Sequence, residues 1–131
     1  MRLKKGIALL LAALLLTAGA LAEEPTTGMT EETMKNEHVI YLAGGCFWGL
    51  EKLMQSIPGV TDAVSGYANG TGEADANYRT VVGGKTGFRE TVKVTYDPER
   101  VSLDALLLAY FYVIDPTVEN RQGNDVGSQY Q

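Results

Sequence analysis

The sequence predicts a two-layer α+β sandwich of the split β-α-β (ferredoxin-like) kind, with helices on one face of a mainly antiparallel sheet. Three observations carry this. An apolar segment at residues 38–43 stops at glycines and gives way to apolar residues at helical spacing. Residues 89–96 alternate strictly between apolar and polar side chains, as a strand with one wet face does. A second helical pattern follows that strand after one turn, so the order is β-α-β, then β-α.

The chain opens with a different kind of segment. Arg2, Lys4 and Lys5 make a basic start, residues 7–16 an apolar run, and Ala20-Leu21-Ala22 a small-residue exit. This pattern is that of a secretory signal peptide over residues 1–22. The apolar run is shorter than the roughly 20 residues a membrane span needs. Removal would take away three of the 11 basic residues and none of the 16 acidic ones, moving the formal charge from −5 to −8. A surface that acidic excludes nucleic acid and, after cleavage, an anionic membrane as partners. The expected location is periplasmic or secreted. Residues 23–37 are polar and read as a flexible linker, and residues 38–131 as one domain, expected to be a monomer.

Within the domain, Phe47, Leu50, Leu53, Met54 and Ile57 space out one helix face, which Pro58-Gly59 stops. Residues 60–67 read as a second strand, residues 69–77 as a glycine-rich acidic loop, and residues 78–82 as a helical turn. Glu90, Val92, Val94 and Tyr96 share the buried face of the alternating strand. Ser102 suits an N-cap and Val101 with Leu106 a hydrophobic staple. Leu103, Leu106, Leu107, Tyr110, Phe111 and Ile114 give the second helix a broad apolar stripe, closed by Asp115-Pro116. Such a plait wants a fourth strand. Gln129-Tyr130-Gln131 reads as its first residues, so the domain is expected to be cut short at its C-terminus.

Cys46 is the single cysteine of the chain and stands at the junction of the first strand and the first helix. It cannot form an internal disulfide. A free thiol of pKa about 8.5 is only a few per cent ionised at neutral pH, and a helix start favours the anion by about 0.3–1 kcal/mol. A buried structural cysteine is the competing reading. Glu90 lies on an apolar strand face, where burial holds a carboxyl in its neutral form and fits it for general-acid work. An edge-of-sheet Glu reaching solvent is the alternative. Phe47 and Trp48 diverge by about 100° on a helix start, so one ring can pack inward while the other walls a shallow pocket. Tyr67, Tyr78 and Tyr130 can supply hydroxyl donors. His38, the single histidine, stands at the far end of the first strand from Cys46, which argues against a Cys–His dyad, and one Cys with one His makes no zinc site.

These residues fall in motifs. Gly44-Gly45-Cys46-Phe47-Trp48-Gly49, Ser65-Gly66-Tyr67, Asn77-Tyr78-Arg79, Thr86-Gly87-Phe88-Arg89-Glu90, Arg121-Gln122-Gly123-Asn124-Asp125 and Gly127-Ser128-Gln129-Tyr130 occur in that order. With them the chain resembles the peptide methionine sulfoxide reductase A family over roughly residues 38–130. The resemblance implies thiol-dependent reduction of methionine sulfoxide, of the S epimer, in oxidised proteins and free methionine. It implies that Cys46 attacks the sulfoxide sulfur and becomes a sulfenic acid, and that Glu90 gives the sulfoxide oxygen its proton. Phe47 and Trp48 would cradle the methyl group, Tyr78 and Tyr130 would hydrogen-bond the oxygen, and Asp125 would line the site. The family binds no metal or nucleotide, and its reductant is an external thiol, a thioredoxin-like protein or dithiothreitol.

Three positions depart from the family pattern. Phe88 stands where histidine is usual, Gln131 where arginine is usual, and the resolving cysteines of many members have no counterpart. Without one, dithiothreitol is expected to support turnover better than thioredoxin. Two other functions remain open at this point: an inactive module that binds methionine-containing peptides, and a single-cysteine thiol peroxidase.

Overall fold

The computed structural model describes residues 36–131. The signal peptide and all but the last two linker residues lie outside the described residues. Three strands form one antiparallel sheet: β1 (His38–Ala43), β2 (Val60–Ala68) and β3 (Arg89–Tyr96), in the order β1-β3-β2. Strands β1 and β2 flank β3 and run parallel to each other, joined through helix α1 (Phe47–Gln55). This is the split β-α-β arrangement. A short helix α2 (Tyr78–Val81) precedes β3, and helix α3 (Leu103–Val113) follows it.

The core lies between the sheet and the two longer helices. Leu42, Ala63, Val92, Val94 and Tyr96 from the strands meet Phe47, Leu50 and Met54 from α1 and Val101 and Leu106 at the start of α3. Strand β3 supplies most of it because it is the central strand, buried along the face that carries residues 90, 92, 94 and 96. Ser102 caps α3, its hydroxyl accepting from the Ala105 amide at 3.2 Å. Asn77 caps α2 in the same way, accepting from Thr80 at 3.3 Å.

The β2 edge of the sheet is partly occupied by α1. On β2, the Ser65 amide donates to the Glu51 carboxylate at 2.8 Å, and the Ala63 carbonyl accepts from Gln55 at 3.1 Å. Polar side chains of α1 thus occupy backbone groups of this edge strand.

The apolar stripe of α3 is the side that packs: Leu106 is buried, Leu107, Tyr110 and Ile114 are half-buried, and of the six only Leu103 and Phe111 are exposed. Leu108, Tyr112 and Val113, outside the stripe, are exposed as well, so the helix is apolar nearly all round. One expectation fails: residues 129–131 do not begin a strand. Ser128–Tyr130 form a 3₁₀ turn instead, after a two-residue hairpin of β4 (Arg121–Gln122) and β5 (Asp125–Val126). Side chains decide this: Gln129 is buried with its amide on the Val82 carbonyl at 3.1 Å, and Ser128 donates to the Gly84 carbonyl at 2.9 Å. Among the described residues, no helix is long and apolar enough to cross a membrane.

Candidate active site

The site begins where β1 ends. Gly45 adopts φ +80°, a left-handed turn that glycine enters without strain, and this turns the chain from the strand into the helix. Cys46 then occupies the N-cap of α1 with φ −62° and ψ 116°. Its side chain makes no capping bond, so the half-buried thiol is not consumed by the helix start. The Gly45 amide donates to the Tyr130 carbonyl at 3.0 Å, tying the C-terminal turn to the cysteine loop.

The first amide of α1 identifies the acid. Phe47 N–H donates to Oε2 of Glu90 at 3.1 Å in a buried environment. The Glu90 side chain is 2% exposed. Burial, with a smaller push from the nearby Asp125 charge, raises its carboxyl above the ordinary range, and the Phe47 amide offsets only part of this. The residue beside the thiol and a carboxyl biased toward its protonated form are therefore joined by one hydrogen bond.

Aromatic rings wall the same region. Phe47 is buried, with its ring 5.4 Å from Trp48 and 5.5 Å from Tyr67 between centroids. Trp48 is 57% exposed and stacks on Tyr78 at 5.3 Å and 26°. One ring of the Phe47-Trp48 pair is in the core and the other is on the surface, as their divergence on the helix requires. Burial holds the Tyr67 and Tyr130 hydroxyls in their protonated form, and both also feel the Glu90 carboxylate. Tyr130 feels Asp125 and Tyr78 as well. The tool kit is a thiol, a protonation-biased carboxyl, several phenol donors and an exposed indole face.

Of the seven residues singled out from the sequence, Cys46, Phe47 and Trp48 follow one another at the helix start, Phe47 bonds Glu90, Trp48 stacks on Tyr78, the Tyr130 carbonyl accepts from Gly45, and the Asp125 charge is felt at Glu90 and Tyr130. Tyr67 belongs with them more firmly than sequence reasoning had it. It pairs directly with Glu90 across β2 and β3 and sits against Phe47 and Phe88. Phe88 is buried, and Gly70 packs so closely on its ring that a β-carbon there would fall 2.2 Å from it. His38 lies at the opposite end of β1, paired with Tyr96. Among the described residues no cluster of His, Cys, Asp or Glu is placed to hold a metal. A cavity of about 450 Å³ lies behind Gly44, between α3 and Gln122; Cys46, Trp48 and Glu90 do not line it.

The split β-α-β fold thus gathers a thiol, a buried carboxyl and a set of aromatic rings at one end of its sheet. A family model described as peptide methionine sulfoxide reductase matches residues 38–131. Among solved structures, methionine sulfoxide reductase A of Corynebacterium diphtheriae is 41% identical, with a TM-score of 0.69 over 73% of this chain and 45% of that one. Mxr1 from Saccharomyces cerevisiae in reduced form is 37% identical, with a TM-score of 0.68 over 74% of this chain and 57% of the other. The same yeast protein in an unusual oxidised form gives 38% and 0.56, over 75% and 54%. The chain belongs to the peptide methionine sulfoxide reductase family. It spans about half the length of the solved structures it matches.

Proposed function

We propose that this chain reduces methionine sulfoxide, as the S epimer, in oxidised proteins and as the free amino acid. The observation that carries the reading is the Phe47 amide bond to Glu90, because it sets a buried acid beside the thiol-bearing residue. Cys46 Sγ attacks the sulfoxide sulfur while Glu90 gives its proton to the sulfoxide oxygen. The oxygen then passes to the cysteine sulfur as the thioether leaves. Cys46 is oxidised by two electrons to a sulfenic acid, and the sulfoxide is reduced by the same two.

A sulfoxide is a polar S–O group carrying a small methyl. Phe47 and Trp48 supply the apolar wall for the methyl, and Tyr78 and Tyr130 supply hydroxyl donors for the oxygen, with Asp125 at the rim. Tyr67 joins the donors through its pairing with Glu90. Recovery needs two equivalents of an external thiol, from dithiothreitol or a thioredoxin-like protein. The first displaces water from the sulfenic acid to form a mixed disulfide, and the second releases the Cys46 thiol. The basic start, apolar run and Ala20-Leu21-Ala22 exit support export to a periplasmic or extracellular setting.

The test is the conversion of a model methionine sulfoxide peptide to the thioether with dithiothreitol, run on each sulfoxide epimer separately. Turnover of the S epimer that disappears in Cys46→Ser is expected. Binding of the peptide without conversion would make the chain a binding module. Faster consumption of hydrogen peroxide than of either sulfoxide would make it a thiol peroxidase.

A further inference from the structure

The loop that presents the thiol is held from behind. Ala43, Gly44 and Gly45 lead from β1 into Cys46, and Tyr110, Ile114 and Gln122 pack against them. The Tyr110 hydroxyl, near the end of α3, donates to the Ala43 carbonyl. A β-carbon on Gly44 would come 3.0 Å from Ile114 and 3.1 Å from the Tyr110 hydroxyl, so the last turn of α3 lies against this peptide. A β-carbon on Gly45 would come 2.9 Å from Cβ of Gln122.

Gln122 is itself fixed at its far end. Its Oε1 accepts from the Asp115 amide at 2.8 Å, and its Nε2 donates to the Asp115 carbonyl at 2.8 Å. A carboxamide has one acceptor and one donor side, so these two bonds reproduce the pairing of two strands. They join β4 to the residue that follows the C-cap of α3. Gly45 is thus pinned on one side by the Tyr130 carbonyl and bounded on the other by the Gln122 stem.

We infer that Gln122 is a positioning residue for Cys46: its carboxamide locks the β4–β5 hairpin to the end of α3, and its aliphatic stem fixes the Gly45 turn from which the thiol and the first amide of α1 are aimed. This takes Cys46 as the reacting group proposed above, but the clamp has consequences that can be read without turnover. The Phe47 amide reaches Glu90 only if the chain enters α1 along its present path, and hydrogen bonds weaken steeply with misalignment. Reacting groups displaced by about 1 Å can lose on the order of 10²-fold in rate.

Three variants separate the parts of the clamp. Gln122→Ala removes both bonds and the stem beyond its β-carbon, Gln122→Met keeps a stem without bonds, and Gln122→Glu keeps an acceptor but no donor. Two local readouts are measured at one pH on the thiol-reduced protein. One is the position of the Phe47 amide resonance, assigned to its bond with Glu90 by the shift seen in Glu90→Gln. The other is the rate of Cys46 alkylation by iodoacetamide. Gln122→Ala is expected to move the Phe47 resonance toward its Glu90→Gln position and to change alkylation by about tenfold, leaving the β2 and β3 amides in place. Gln122→Met should show the same displacement in smaller measure, and Gln122→Glu the least. Variants that only lower the unfolding midpoint, with Phe47 and Cys46 unchanged, would reduce Gln122 to a hairpin anchor and overturn the inference. If Gln122→Ala does not fold, Gln122→Met against wild type decides by the same criteria. A wild-type chain that reduces no sulfoxide would sink the proposed function while leaving these measurements to judge the clamp.

Discussion

The backbone amide of Phe47 and the side chain of Glu90, 43 residues apart in sequence, are 3.1 Å from each other in the folded chain. One end of that bond belongs to the residue after the cysteine, and the other to the central strand of the sheet. Its geometry couples the orientation of α1 to the state of the acid.

Glu90→Gln separates the chemical role of that acid from its effect on stability. Burial raises the Glu90 carboxyl above its ordinary range, so the folded chain holds that proton more tightly than the unfolded one. Stability is then fullest below the ordinary carboxyl range and declines as pH rises through the raised value. The Gln variant, neutral throughout, is expected to melt higher than wild type near neutral pH and to match it in acid. Its rate of sulfoxide reduction should fall about 10²–10⁴-fold. Wild-type turnover should decline as rising pH strips the proton. Melting curves at two pH values and a pH–rate profile check both statements.

Trp48→Ala should weaken substrate handling far more than folding. The indole is 57% exposed and its ring contacts are with Tyr78 and Phe47, aromatic pairs worth about 0.5–1.5 kcal/mol each. Losing the wall against a methyl group costs about 1–3 kcal/mol of discrimination, or roughly 10–200-fold in kcat/KM. Steady-state kinetics beside a urea titration would show which effect dominates.

Gly45→Ala is expected to destabilise through two separable causes. Left-handed backbone costs an L side chain about 1–2 kcal/mol, and the added carbon would meet Gln122 at 2.9 Å. Pairing it with Gln122→Gly, which removes the β-carbon that makes this contact, relieves the collision but not the backbone strain. The double variant should therefore lose less stability than the sum of the singles, measured by urea unfolding.

Glu51→Gln tests the protected edge of the sheet. The Ser65 side chain and amide hold the Glu51 carboxyl below its ordinary value. A group shifted down contributes stability above its unfolded pKa and loses it as pH falls through the folded one. The variant should be less stable than wild type at neutral pH, with the gap closing in acid. A constant gap from neutral pH to acid would show that charge is not involved.

Met54→Ala probes the core itself. Its side chain is fully buried beneath the sheet, and truncations of this kind cost about 2–5 kcal/mol. Against a total of about 5–15 kcal/mol for a domain, a large drop in the urea midpoint is expected.

Much of this was readable from local pattern. The alternation of residues 89–96 places Glu90 on the inner face, and the glycines before Cys46 mark the strand–helix junction. The pairing of Tyr67 with Glu90 was not readable, because the register between β2 and β3 shifts between Val60 and Asp62, and such an irregularity leaves no periodic signature. Residues 129–131 misled for a related reason: a buried glutamine, Gln129, bonding to a distant carbonyl overrides the extended form that its neighbours permit. The Gln122 clamp was invisible too, since its value depends on where α3 ends. The stripe on α3 was legible from helical spacing, since Leu106, Leu107, Tyr110 and Ile114 on it are the residues that pack, although Leu108, Tyr112 and Val113 make the opposite side apolar too.

Trp48 has one more property. It is the sole tryptophan of the chain, and it stands at the surface against Tyr78 rather than in the interior. Intrinsic fluorescence excited at the indole band therefore originates at one spot, beside the cysteine. An aqueous quencher should reach it in the native state, and a ligand seated over the ring should shield it. The protein carries its own optical reporter of occupancy, with no label to attach.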